Sequence, residues 1–179
     1  MGNRNQLEKL IFAALLTSIA IVIKIIFNYI PLPTTIKNID LFLVFIILAG
    51  ILMGPVYGGL VGFVTDILFI FMAGGNWGLF TVAHTLAGII PGLYFAYFRF
   101  NKVSLVVSMF FTISVYFAIT TVALDILGFI PANIYTIAPR LLRTAIIFIP
   151  YCYLVRFLVT DARLQGSSIY NEFVQSHNL

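Results

Sequence analysis

The sequence predicts an all-α, polytopic membrane protein of six transmembrane helices, and three observations carry that expectation. Of its 179 residues 61% are hydrophobic and only 9% are charged, where an average soluble domain carries about 25% charged residues. The mean hydropathy is +1.08, so too little charge exists to coat a surface facing water. Apolar runs near the roughly 20 residues that cross a bilayer recur along the chain, divided by Pro, Gly and Asn breakers. The formal net charge of +4 does not indicate nucleic acid, because the cations are spread along the chain rather than gathered in one tract. In a membrane protein such cations report orientation. The one cysteine, Cys152, sits in an apolar run and permits neither an internal disulfide nor a cysteine metal cluster.

Each element follows from its breakers. The first apolar run, 7–30, follows Arg4 and Lys9 as a signal sequence would, but it is too long for a signal peptide's apolar core and no small-residue cleavage site stands at its end. It reads as a retained helix. Pro31 and Pro33 with Thr34 and Thr35 make 31–39 a loop, and Asp40 is placed to cap a second helix, 40–53. Gly54-Pro55 forces an abrupt reversal into a third, 55–73. Gly74-Gly75-Asn76 ends it, a fourth spans 77–98, and the polar Arg99-Phe100-Asn101-Lys102 leads to a fifth, 103–127. Pro131 and Asn133 mark a loop at 129–137 before a sixth helix, 138–160, and a polar tail. The expectation is a single six-helix domain over 1–179.

Six crossings put both termini on one side. Arg4, Lys9, Arg99, Lys102, Arg156 and Arg163 fall on that side against Lys37 alone in an opposite loop. Both termini are therefore expected in the cytoplasm, and the connections 31–39, 74–76 and 129–137 outside.

An ionisable group within a span is costly, about 2.5–3.5 kcal/mol on insertion scales, and is a functional-site candidate by default. Lys24 is about six residues, roughly 9 Å, from the outer end of its helix, and His84 is about seven residues into the fourth. Arg140 and Arg143 occupy the first turns of the sixth helix, Asp125 the last turn of the fifth, and Asp66 the outer half of the third. All six share the outer half, which predicts a polar cavity opening outward. With His neutral, three cations against two carboxylates leave one positive charge, favouring a substrate with a carboxylate. Arg140 and Arg143, three apart on one helix face, suit a carboxylate or could pair with Asp66 or Asp125 to hold helices together. Trp77, Phe80, Tyr116 and Tyr135 could stack on a flat ring or sit in the interfacial aromatic belt.

Small residues give two more signals. Gly50, Gly54, Gly58 and Gly62 recur every four residues across the 53–55 reversal, the pattern of closely packed helices. On the cytoplasmic half of the first helix, Ala13, Ala14, Thr17 and Ser18 form a smooth patch that could take a partner's helix. The sequence has no G-x-x-x-x-G-K-[ST] loop, no H-E-x-x-H and no G-x-S-x-G. No enzyme, cofactor or metal site is expected.

The chain resembles an S component, the vitamin-binding subunit of an energy-coupling factor (ECF) transporter. The resemblance is carried by LAGILMGPVYGGLVGFVTD from Leu48 to Asp66, by GLFTVAHTLAGIIPGLY from Gly78 to Tyr94, and by the small-residue patch of the first helix, which is similar to the family's Ala-xxx-Ala coupling motif. APRLLRTAIIFIPY, from Ala138 to Tyr151, is similar to the Pro-Arg and Ile-Pro motifs of folate-type members. The resemblance implies high-affinity binding of a vitamin, folate first and pantothenate or a pyridoxine-like compound second. Lys24, Asp66, Trp77, Phe80, His84, Asp125, Tyr135, Arg140 and Arg143 are the substrate-binding candidates, and Ala13, Ala14, Thr17 and Ser18 the coupling candidates. It further implies a bacterial plasma membrane, surrounding lipid, and an energising module of one transmembrane T subunit and two ATPase subunits. The competing class is a self-sufficient carrier, which would need polar groups in both halves of the membrane.

Overall fold

Glycines at four-residue spacing leave a helix face without side chains, so two such faces meet backbone to backbone. That contact forms the centre of this protein. The computed structural model describes residues 2–29, 40–74, 78–128 and 133–162. Among them are six helices: α1 (Gly2–Tyr29), α2 (Leu43–Met53), α3 (Pro55–Ala73), α4 (Leu79–Tyr97), α5 (Lys102–Ile126) and α6 (Ile134–Ala162). Five are long and apolar enough to cross a membrane, and α2 is a shorter apolar helix. The protein is an all-helical polytopic membrane protein.

Helix α2 lies at the core. Ten of its 11 residues are buried, so it has no polar face, as befits a helix surrounded by others. Its sides are covered by α1, α3, α4 and α6. The Gly54 turn, at φ 89°, takes the chain straight into Pro55 at the first turn of α3, where a proline's missing N–H loses no helical bond. A Cβ on Gly88 of α4 would overlap the Gly58 carbonyl of α3, and one on Gly62 would overlap the His84 carbonyl. Gly50 of α2 meets the same Gly88 carbonyl. Three backbones thus share one contact.

Helix α1 starts at Gly2, ahead of the expected 7, and α4 at Leu79, behind the expected 77; the starts of α2 and α6 differ for local reasons. Asp40 does not cap α2 with its side chain. Its backbone carbonyl accepts from Leu43 N at 2.8 Å, its carboxylate is engaged elsewhere, and the helix begins at Leu43. Helix α6 begins at Ile134 instead of 138 because the Asn133 side chain accepts from Thr136 N at 3.1 Å, a cap that starts the helix ahead of Pro139. On the outside of α6, Leu142, Ile146, Ile149 and Tyr153 are exposed, the face a spanning helix turns to lipid.

Gly88→Ala should lower thermal stability in detergent by about 1–3 kcal/mol, the usual range for overpacking, whereas Leu142→Ala on the exposed face should stay within about 0.5 kcal/mol of the parent. Equal melting temperatures for Gly88→Ala and the parent would show that α3 and α4 are not in backbone contact.

Candidate functional site

The glycine contacts set the register of α3 against α4. Gly58 faces Gly88 and Gly62 faces His84, so the antiparallel pair brings Asp66, one turn further along α3, against Thr81 and His84 on one face of α4. Asp66 is buried, and Thr81 Oγ1 donates to its Oδ2 at 2.6 Å. From α1, Lys24 Nζ donates to Oδ1 at 2.7 Å. His84 Nδ1 lies 3.1 Å from the same oxygen, close but outside hydrogen-bond alignment. The Lys24 ammonium also stands over the Phe69 and Phe42 rings, 4.4 and 4.7 Å from their centroids, so aromatic faces add to its stabilisation. A buried ion pair is tolerated only when further bonds satisfy its charges. These do so, and they tie α1, α3 and α4 together.

A second polar group begins on the far side of His84. Its Nε2 is 3.4 Å from the Tyr116 hydroxyl of α5, and that hydroxyl donates to Asp40 Oδ2 at 3.2 Å. Asp40 in turn lines a cavity between the start of α2, α5 and α6. Tyr116, Phe117 and Thr120 line it from α5, and Arg140, Arg143, Thr144, Phe148 and Tyr151 from α6. The Arg140 guanidinium lies 5.4 Å from the Phe117 ring centroid. Along α6 the lining runs from Arg140 to Tyr151, about 16 Å at the helical rise. The cavity has a volume of about 60 Å³.

The shortness of α2 explains where this cavity lies. Eleven residues rise about 16 Å, roughly half of the 30 Å hydrocarbon core, whereas α3 returns from the same turn with 19 residues. The start of α2, with Asp40, therefore ends well below the end of α3. The cavity lies beside that start, between it, α5 and α6.

The sequence-predicted residues divide among several places. Lys24, Asp66 and His84 form the packed ion cluster, and Arg140 and Arg143 line the cavity. Phe80 is half-buried at the start of α4 and is not in the cavity lining, and Asp125 is exposed in the last turn of α5. Tyr135 is 85% exposed, which fits an interfacial position and not a cavity wall. Trp77 lies outside the described residues, as do 30–39 and Gly75-Asn76. Asp40 and Tyr151 were not among the sequence candidates. The Tyr116/Thr120 pair, four apart on one face of α5, was the available signal. Among the described residues no group of three or more His, Cys, Asp or Glu is placed to hold a metal ion.

The small-residue patch also divides. Ala13 and Thr17 are buried, while Ala14 and Ser18 face outward. Thr17 and Ser18 donate their hydroxyls back to the carbonyls of Ala13 and Ala14, each at 2.8 Å. Both hydroxyls are therefore satisfied within α1, and Ala14 and Ser18 stand among the exposed Leu10, Ile11 and Leu15.

The family model described as ECF-type riboflavin transporter, S component, matches residues 4–156. No curated protein and no solved structure matches the chain.

Removing one member of the ion cluster leaves the other buried and unpaired. Lys24→Met and Asp66→Asn are each expected to cost about 3–5 kcal/mol of stability, and the double variant to recover most of that loss. Additive single effects in a thermal-stability cycle would show that Lys24 and Asp66 do not interact.

Proposed function

The chain belongs to the family of S components of ECF-type riboflavin transporters, and from that premise we propose that it captures riboflavin in the cavity between α2, α5 and α6 and delivers it to an energising module. S components bind a vitamin in the membrane and associate with such a module. The observation that carries the riboflavin reading is the family match over 153 residues, 4–156, set beside a cavity whose lining combines aromatic faces with convergent polar groups. Phe117, Tyr116 and Phe148 offer surfaces for a flat tricyclic ring, and Arg140, Arg143, Thr120 and Thr144 offer hydrogen bonds to its oxygens and to the sugar-alcohol chain. The folate reading rests on the shorter 138–151 similarity. Ala87, where folate-type members often carry an arginine, is buried in helix packing and not in the cavity.

Pockets for ligands of this size measure roughly 300–1,000 Å³. At about 60 Å³ the cavity is too small for the ring as it stands, so binding requires it to widen before it closes over the ring. Helix α6 is the element suited to move, since it packs chiefly on α2 and α5 and carries Pro139 and Pro150 within its length, each of which removes a helical bond. Delivery follows from the opposite half of α1. In the cytoplasmic-termini orientation that the terminal cations favour, Ala14 and Ser18 face the leaflet where a T subunit bearing two ATPases would dock, in a bacterial plasma membrane.

Two measurements test this reading. Purified protein should quench flavin fluorescence on titration with riboflavin, and Arg140→Ala should weaken binding by about 1.5–3 kcal/mol, the range for a hydrogen bond to a charged group. Saturable folate binding with no flavin binding would replace riboflavin as the substrate. Separately, Ser18→Trp should abolish uptake in cells that contain the energising module and leave flavin binding intact, because helices in lipid associate through close contact. Normal uptake by Ser18→Trp would remove α1 from the docking surface and favour a self-sufficient carrier.

A further inference from the structure

Resting on the riboflavin reading, we propose that Asp40 is the specificity-determining residue of the cavity, its carboxylate accepting the ring imide N–H of the flavin between two carbonyl oxygens held by Arg140 and Arg143. The chemistry of the lining motivates the assignment. The pyrimidine edge of a flavin presents an acceptor, a donor and an acceptor in order. Its complement is a donor, an acceptor and a donor. Among the charged residues lining the cavity are one carboxylate, Asp40, and two guanidiniums, Arg140 and Arg143, the composition that edge requires.

Asp40 is also available for the task. It does not cap α2, and among the described residues the side-chain hydrogen bond at its carboxylate is the one Tyr116 donates to Oδ2, at 3.2 Å. A carboxylate has about four acceptor sites, so Oδ1 and further lone pairs remain for a ligand. Tyr116 fixes the carboxylate from behind, and His84 Nε2, 3.4 Å from the Tyr116 hydroxyl, backs the tyrosine. Asp40 stands just ahead of α2, tied to it by the bond from Leu43 N to the Asp40 carbonyl, while both arginines ride on α6. Closure of α6 over a bound ring would bring the two donors to either side of a fixed acceptor.

The test compares riboflavin with 3-methylriboflavin, which keeps the ring and both carbonyls but lacks the imide N–H. For the parent protein, fluorescence titration should show the methylated flavin binding about ten-fold or more weakly, since it leaves a buried carboxylate without its donor. In Asp40→Ala that gap should shrink to near unity. If Asp40→Ala does not fold, the isosteric Asp40→Asn carries the same comparison: riboflavin affinity should fall several-fold through loss of the charge-assisted bond, while 3-methylriboflavin affinity stays unchanged. Equal weakening of both flavins in a folded variant would mark Asp40 as structural and overturn the proposal. So would equal affinity of the two flavins for the parent. Failure of the parent to bind any flavin would overturn the riboflavin reading itself, a result distinguishable because it appears before any variant is made.

Discussion

The direct contact of three helix backbones, α2, α3 and α4, constrains everything else in this protein. Gly50, Gly58 and Gly88 meet where no Cβ fits, and lipid offers no hydrophobic force to assemble helices, so close van der Waals approach must do it. The contact fixes a register, and the register decides which polar groups share a level in the membrane. Asp66 meets Thr81 and His84 because Gly62 meets the His84 carbonyl one turn away. Lys24 then binds α1 to that carboxylate. Without the glycine register the same residues would be four separate polar groups, each too costly to bury alone.

The same packing leaves a cavity because α2 is short. A helix buried on all sides cannot reach both surfaces with 11 residues, and among the described residues the cavity at its start is walled by α5 and α6. The two polar groups consequently have different characters. The Asp66 carboxylate is engaged by Lys24 and Thr81 and ties α1, α3 and α4 together. The cavity group, with Asp40, Arg140 and Arg143, has donors and acceptors that face space. Tyr116 belongs to both, through His84 on one side and Asp40 on the other.

Much of the fold was legible in the sequence, because Gly-Pro at 54–55, Gly74 and the polar 99–102 segment interrupt apolar runs at spacings only helices can use. The ends were less legible. A side-chain cap at Asn133 starts α6 about four residues early, and the carboxylate of Asp40 is drawn to a tyrosine about 76 residues away, a partner no local pattern reveals. Depth along each helix put Lys24, Asp66, His84, Asp125, Arg140 and Arg143 in one group, of which the first three meet, yet depth says nothing about rotation. Rotation separates the ion cluster from the arginines, turns Tyr135 outward and leaves Asp125 exposed. The same blindness merged Ala13 and Thr17, which face the core, with Ala14 and Ser18, which do not.

The division of the molecule bears on how a signal of occupancy could cross it. Helix α1 carries the proposed docking face, but Lys24 clamps it to Asp66 and thereby to the glycine-packed centre. A helix held by a buried ion pair is poorly suited to shift when ligand arrives. Helix α6 holds half of the cavity's lining, has two internal prolines and turns a broad apolar face outward. In the proposed reading, ligand-dependent change therefore resides in α6, while α1, α3 and α4 present the partner with a surface of constant shape. Recognition of the loaded state would then require the energising module to contact more than the small-residue face, since Ala14 and Ser18 stand on the part of the bundle that ligand leaves in place.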